Sequence, residues 1–188
     1  MLERNILRGK VVRLTAVEKE DLAAIGRWYE DAGFARLFDA SPAAPKSAAQ
    51  LAEWLDEVHK DKSGFLFAIR PVDEDTLLGY VELDGILWSN GSAWIGLGLG
   101  RREHWGKGYG TEAMQLTLKF AFDELNLRRV QLTVFAYNER AMALYEKLGF
   151  VREGAFREHI SRDGRFYDML LYGLLRREWS GQTGNQGA

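Results

Sequence analysis

The chain has 188 residues, of which 46% are hydrophobic and 28% charged, with a formal net charge of −2 at pH 7. This length and apolar content predict one folded domain at 1–179, followed by a polar, glycine-rich flexible tail at 180–188. The near-neutral charge argues against non-specific nucleic-acid binding, which depends on a basic field. Cysteine is absent, so a covalent thioester to the protein or a thiolate metal site cannot form.

Other features that the sequence lacks bear on the cellular location of the protein. No run approaches the ~18 apolar residues of a membrane span, and residues 1–10 lack the apolar core of a signal peptide. Together with the lack of cysteine, this favours a cytoplasmic protein without a membrane partner. The three histidines show no metal-ligand spacing, so we expect no metal.

Hydrophobic periodicity and turn residues predict an α+β chain. Residues 31–47 have the composition of a mobile flap, Asn90-Gly91 predicts a tight hairpin, and residues 162–164 predict a second one. Gly149 is expected to end the last helix. We expect strands at 10–16, 65–70, 77–88, 92–99, 129–137, 151–160 and 165–175, and helices at 18–30, 47–59, 111–124 and 139–148.

The stretch Leu97–Gly110 carries the most informative pattern. An apolar strand runs into a basic turn, and three alternating glycines at 106, 108 and 110 then open an amphipathic run. Glycine lets the backbone approach a ligand closely, and the first turn of a helix offers unpaired N–H groups. This predicts a cradle for phosphate. The cations around it are those of Arg101, Arg102 and Lys107.

Spacing excludes two common phosphate loops. A Walker loop needs Gly-Lys followed by Ser or Thr, whereas Lys107 is followed by Gly108. A dinucleotide fingerprint needs its third glycine where Thr111 stands, and an acidic residue where the next strand ends at Tyr137-Asn138.

Three ordered motifs resemble those of the GNAT superfamily of acyl-CoA-dependent N-acetyltransferases. The superfamily's pyrophosphate loop, Gln/Arg-x-x-Gly-x-Gly/Ala, matches Trp105–Gly110, with Trp in place of Gln or Arg. Asn138–Ala141 and Leu144–Phe150 agree in order and spacing. The resemblance covers nearly the whole chain and is greatest to the branch with ribosomal-protein N-terminal and spermidine acetyltransferases.

This resemblance implies the α+β GNAT fold, with a mixed, mostly antiparallel seven-stranded sheet and about four helices. The fourth and fifth strands, here 92–99 and 129–137, would splay apart and admit the pantetheine arm of acetyl-CoA, the expected cosubstrate. The residues expected to bind it are Leu97, Gly98, Leu99, Arg101, Arg102, Trp105, Gly106, Lys107, Gly108, Tyr109, Gly110, Thr111, Asn138, Ala141 and Tyr145.

The resemblance also suggests catalytic roles. Tyr145 matches the general acid that protonates the leaving thiolate, although a packed core aromatic is the alternative. A backbone N–H of Leu99 or a neighbour would donate to the thioester oxygen. Asn138 can cap a helix, contact the pantetheine, or do both. Glu82, Asp84 and Glu103 are candidate bases, and each can equally be a solvated surface acid.

An acceptor pocket is predicted from four residues: Phe34, Phe38, Asp84 and Trp88. Alternatively, these rings are core and the acid is surface. A peptide N-terminus is the favoured acceptor because its amine, with a pKa of about 7.7 to 8.0, needs least from a base. A polyamine such as spermidine or an aminoglycoside is the second candidate, and a non-catalytic CoA-binding sensor the third. A homodimer is left open.

Overall fold

The computed structural model describes residues 5–180, which form a seven-stranded sheet in the order β1-β2-β3-β4-β5-β7-β6. The strands are β1 Val12–Ala16, β2 Phe65–Pro71, β3 Gly79–Leu87, β4 Ser92–Leu99, β5 Arg129–Phe135, β6 Val151–Arg162 and β7 Arg165–Leu175. The helices in this range are α1 Leu22–Tyr29, α2 Ala32–Phe38, α3 Ala48–Lys60, α4 Tyr109–Lys119 and α5 Glu139–Lys147. None of them has the length and apolar character needed to cross a membrane. The expected tail lies outside the described residues apart from Ser180.

The two faces of the sheet carry different helices. On one face, α4 and α5 bury Met114, Leu118 and Tyr145 against the sheet. On the other face, α1, α2 and α3 bury a second cluster that includes Trp28 and Tyr80. In the sheet, this second cluster involves Ala68 of β2 and Tyr80 of β3.

The sheet opens in its centre, as the resemblance predicts. All neighbouring strands pair antiparallel except β4 and β5, which pair in parallel only from Ser92↔Arg129 to Trp94↔Gln131. Beyond Trp94 the two strands are no longer paired. The mixed, splayed sheet of the GNAT fold is therefore confirmed.

The open edge of β4 presents backbone groups to this gap. The N–H of Gly100 donates to the carbonyl of Leu78 on the β3 side at 3.0 Å. Because successive residues of a strand direct their backbone groups to opposite sides, Leu97 and Leu99 direct theirs towards the gap. An extended amide-containing ligand could therefore pair there.

The predicted flap is partly helical, which gives five helices rather than about four. Asp31 caps α2 by accepting from the N–H of Gly33 at 2.8 Å, and Phe34 and Ala35 are buried. The helix has only seven residues and carries a glycine in its first turn, so packing against α1 rather than propensity stabilises it. Residues 39–47 contain no helix or strand.

Other element boundaries differ by a few residues. The first predicted helix begins as a 3₁₀ turn at Lys19–Asp21, and α4 begins at Tyr109 and continues as a π turn at Phe120–Glu124. Gly149, with φ +92°, ends α5 as predicted. The predicted 77–88 strand is shorter, at Gly79–Leu87.

Candidate active site

A cavity of about 1520 Å³ occupies the gap between β4 and β5. One end lies at the loop before α4, and the other end lies under α1, α2 and α3. Most of the residues proposed from the sequence line it: Phe34, Phe38, Glu82, Asp84, Leu97, Gly98, Leu99, Arg102, Trp105, Gly106, Gly108, Gly110, Thr111, Asn138, Ala141 and Tyr145.

The glycine turn before α4 is shaped as a ligand cradle. Gly106 and Gly108 have φ values of +74° and +85°, a left-handed conformation that favours glycine. A Cβ built on either residue would meet no atom within 4 Å, so their Cα atoms border open space. Gly108 is the N-cap of α4, and the free N–H groups of that helical turn suit an anion. The turn therefore has the shape and the free N–H groups of an anion-binding site.

Trp105, the residue that departs from the family motif, links three elements of the site. Its indole N–H donates to the carbonyl of Leu99 at 3.0 Å, which fixes the end of β4. The guanidinium carbon of Arg140 lies 4.3 Å from the centre of the Trp105 ring, and that of Arg102 lies 5.9 Å away. Arg140 was missed from the sequence, although it sits within the Asn-Glu-Arg-Ala motif.

The other predicted cations of the loop lie off the cavity wall. Arg101 is exposed and pairs with Glu103 at 3.4 Å, and Lys107 is exposed. The side chain of Glu103 is 64% exposed. Neither these three residues nor Tyr109 lines the cavity, whereas Arg102 and Arg140 do.

Tyr145 lies on α5 and is buried against Phe150, which follows the helix. Its side chain also lines the cavity. Within residues 5–180, its hydroxyl forms no hydrogen bond. Burial raises the pKa of this phenol to about 12, so it stays protonated throughout the neutral range. A protonated, unpartnered phenol at a cavity wall can donate to a leaving group.

Asn138 is the N-cap of α5, because its Oδ1 accepts from the N–H of Ala141 at 3.3 Å. Its Nδ2 also donates to the carbonyl of Leu37 at 3.3 Å. The neighbouring Tyr137 donates its hydroxyl to the carbonyl of Arg36 at 2.6 Å. The end of β5 is thus fastened to α2, and the helix-capping role of Asn138 is confirmed.

Two acids of β3 point into the cavity on the same side as Tyr80, as their alternation predicts. Glu82 lies opposite Gly96 of β4. A Cβ added to Gly96 would lie 3.0 Å from Oε1 of Glu82. Burial, followed by the charge of Asp84, raises the pKa of Glu82 to about 7. Burial also raises the pKa of Asp84, with a smaller contribution from Asp61. A carboxylate with a pKa near neutrality can act as a base at physiological pH.

Trp88 lies away from the cavity, with 53% of its surface exposed. The β3–β4 pairing shifts register between Asp84 and Leu87, and Gly85 within this bulge has φ +53°. Strict alternation would have put Trp88 on the same face as Asp84. The bulge breaks that alternation, so Trp88 is not among the residues that wall the pocket.

Aromatic rings wall the end of the cavity beyond Glu82. Phe38 stacks on Phe34 at 5.5 Å between centroids and meets Tyr80 edge-on at 5.2 Å. Gly98 makes this possible, because an added Cβ would lie 2.9 Å from the Phe38 ring. The ammonium of Lys46 lies 5.1 Å above the Tyr29 ring. The rings of Phe34 and Phe38 are therefore both packed in the interior and part of the wall.

The hairpin between β6 and β7 holds the segment that follows α2. Arg162 donates through one nitrogen to the carbonyls of Asp39, Ala40 and Ser41, each at 3.1 Å. Arg36 forms an ion pair with Asp163 at the hairpin tip. These contacts hold the segment after α2 in place next to the aromatic end of the cavity.

The splayed sheet, the glycine cradle, and a cavity lined by both a buried phenol and a carboxylate of raised pKa define a class of protein: an acyltransferase of the GNAT fold. Residues 12–151 match the family model for the acetyltransferase (GNAT) domain. Residues 5–180 contain no group of three or more acidic or histidine side chains arranged to hold a metal ion.

Named relatives agree with this class. The chain is 30% identical over 169 residues to the uncharacterized N-acetyltransferase p20 of Bacillus licheniformis, covering 89% of this chain and 94% of that protein. It is 25% identical over 127 residues to the [ribosomal protein uS5]-alanine N-acetyltransferase of Escherichia coli, covering 67% of this chain and 65% of that protein.

A solved structure of spermidine N-acetyltransferase from Vibrio cholerae, in complex with CoA and spermine, superposes with a TM-score of 0.81 at 28% identity. The match covers 89% of this chain and 96% of that one. The chain therefore belongs to the GNAT acetyltransferase family and is an N-acetyltransferase of the GNAT type.

Proposed function

We propose that the protein transfers an acetyl group from acetyl-CoA directly to a primary amine. The observation that carries this proposal is the continuity of one cavity, which joins the cradle at Gly106 and Gly108, the phenol of Tyr145 and the carboxylate of Glu82. The cradle would hold the diphosphate, and the open edge of β4 at Leu97 would pair with the pantetheine amides.

The cosubstrate supplies a thioester carbonyl, and the side chains of the protein manage the protons. Glu82 accepts the proton that the amine loses as its nitrogen bonds to the acetyl carbon. Tyr145 protonates the sulfur as the carbon–sulfur bond breaks, and its phenol regains a proton from solvent. The backbone N–H of Leu99 or Leu97 would donate to the carbonyl oxygen. No enzyme nucleophile is needed.

Glu82 is a better base than Glu103. Its carboxylate lines the cavity, and its raised pKa of about 7 leaves it able to take up a proton near neutrality. Glu103 is 64% exposed, faces Arg101 and lies off the cavity wall. Asp84, two residues further along β3, would then increase the proton affinity of Glu82 and attract the positively charged amine.

A peptide N-terminus is the acceptor that we favour. Its amine has a pKa of about 7.7 to 8.0, so a base with a pKa of about 7 accepts its proton with little free-energy cost. The aromatic wall formed by Tyr29, Phe38 and Tyr80 can receive an apolar first side chain. The similarity to the ribosomal-protein alanine acetyltransferase supports the same class.

A polyamine is the second candidate, and a specific observation favours it. Asp39, Glu82 and Asp84 all line the acceptor end of the cavity, so several carboxylates could pair with a multiply charged amine. The similarity to the spermidine acetyltransferase of Vibrio cholerae points the same way.

The test is thiol release from acetyl-CoA in the presence of N-terminal peptides, polyamines and aminoglycosides. We expect acceleration by peptides, with kcat falling by about 10²-fold in Glu82→Gln. Glu53→Gln, an exposed change on α3, is the control. Acceleration only by polyamines would replace the favoured acceptor. Tight CoA binding without release for any amine would instead support a non-catalytic sensor.

A further inference from the structure

We infer that Arg140 is a diphosphate-binding residue of the cradle and that Trp105 holds it in position. This inference rests on the proposed function and assigns its phosphate site to a side chain outside the glycine loop. In this chain, a tryptophan stands where the family loop carries Gln or Arg. A cation recruited from α5 would replace that lost polar side chain.

The position of Arg140 over the Trp105 ring supports this assignment. The guanidinium carbon of Arg140 lies 4.3 Å from the Trp105 ring centre, close enough for a strong cation–π contact. The ring itself is held at its edge, because the indole N–H donates to the carbonyl of Leu99 at 3.0 Å. Since Trp105 is bonded to Gly106, the held ring keeps the Arg140 guanidinium beside the glycine turn.

The charge of Arg140 is available to a ligand. Within residues 5–180, no carboxylate lies within ion-pair distance of Arg140. Arg102, the other arginine near the ring, already has Asp31 at 3.6 Å. Arg140 also lies in the first turn of α5, where the helix dipole disfavours a cation and favours an anion. An anion beside Arg140 would therefore be stabilised both by the guanidinium charge and by the positive end of the α5 dipole.

The location of Arg140 makes it a better candidate for diphosphate binding than Lys107 of the loop. Arg140 and Trp105 line the cavity together with Gly106 and Gly108, whereas Lys107 does not. A guanidinium that lies over a ring face can keep the N–H groups in its own plane free, and these can donate in pairs to phosphate oxygens.

The experiment measures binding of CoA and of 3′-dephospho-CoA by titration calorimetry, without an acceptor. We expect Arg140→Ala to weaken both ligands by the same factor, about 10- to 100-fold. Arg140→Lys should lie between Arg140→Ala and the unchanged protein, because it keeps the charge and loses the planar stack. Arg157→Ala, an exposed arginine of β6 outside the cavity, removes the same charge and should bind CoA as the unchanged protein does.

The outcomes separate this inference from the proposed function. If the unchanged protein fails to bind CoA, the proposed function is wrong. If it binds CoA and Arg140→Ala binds as tightly as Arg157→Ala, only the role of Arg140 is refuted. A loss seen with CoA and absent with 3′-dephospho-CoA would move Arg140 to the 3′-phosphate and overturn the diphosphate assignment.

Trp105 gives an independent test. Trp105→Phe keeps a ring face for Arg140, whereas Trp105→Leu removes it, so the leucine variant should lose about as much CoA affinity as Arg140→Ala. In the double variant, Arg140→Ala should add little to Trp105→Leu, because the two residues act as one unit. Full additivity of the two losses would contradict the positioning role of Trp105.

Discussion

Replacing Glu82 with glutamine should stabilise the protein, and the gain should depend on pH. Burial and the charge of Asp84 raise the pKa of Glu82 from 4.5 to about 7. The folded protein therefore holds more protons than the unfolded chain between these values, and its free energy of unfolding falls as the pH rises through them. Glutamine cannot ionise, so the variant lacks this loss.

The size of the Glu82 pKa shift sets the size of the stability gain expected for Glu82→Gln. Each pKa unit corresponds to about 1.4 kcal/mol, so a rise from 4.5 to about 7 corresponds to about 3 kcal/mol at most. Because the Glu82 side chain is only partly buried in the folded protein, we expect a gain of about 1 to 3 kcal/mol above pH 7. The gain should shrink towards zero near pH 4.5.

Urea unfolding at pH 5, 6, 7 and 8, followed by tryptophan fluorescence, measures this difference. Glu53→Gln, at an exposed position of α3, controls for the loss of one acidic charge. A Glu82→Gln gain that is constant over this range, or greatest at pH 5, would show that the cavity environment does not raise the Glu82 pKa.

Three further predictions concern ligand binding and turnover. Tyr145→Phe should lower kcat by about 10²-fold with an unchanged CoA dissociation constant; unchanged turnover would remove the phenol from the mechanism. Gly108→Val should weaken CoA binding more than 10-fold and destabilise the fold by only about 1 to 2 kcal/mol, whereas Gly154→Val, at a strand position with open space around it, should bind CoA normally. Arg162→Ala releases three carbonyls of the segment after α2, so it should raise the acceptor KM about 10-fold and leave CoA binding unchanged.

The pH dependence of turnover follows from the same two side chains. As the pH rises through about 7, Glu82 loses its proton and becomes able to act as the base, so kcat should rise over this interval. Tyr145, with a pKa of about 12, stays protonated and should cause no decline up to pH 9. A rate that falls between pH 7 and 9 would contradict its assignment as the acid.

The sequence predicted those features that are encoded locally. The alternation of apolar and polar residues in β3 correctly places Glu82 and Asp84 in the same cavity as Tyr80, because side-chain direction in a regular strand depends only on position. The glycine pattern likewise predicted the turn before α4, since φ values of +74° and +85° require glycine-like freedom.

The features that the sequence did not predict depend on distant contacts or on irregular backbone. The short helix α2 is stabilised by packing of Phe34 rather than by its own propensity. Trp88 lies away from the cavity because a bulge interrupts the alternation. Arg140 meets Trp105 although helix α4 and strand β5 separate them in the chain, and no local pattern indicates such a pair.

In the proposed mechanism, one cavity aligns the glycine turn, Tyr145 and Glu82 along a bound CoA molecule. A crystal structure with CoA tests it most directly. We expect the diphosphate against the backbone of Gly106–Gly110 and the sulfur within about 3.5 Å of the Tyr145 hydroxyl, with Glu82 facing the sulfur from the acceptor side. A diphosphate bound elsewhere, or a sulfur remote from that hydroxyl, would contradict it.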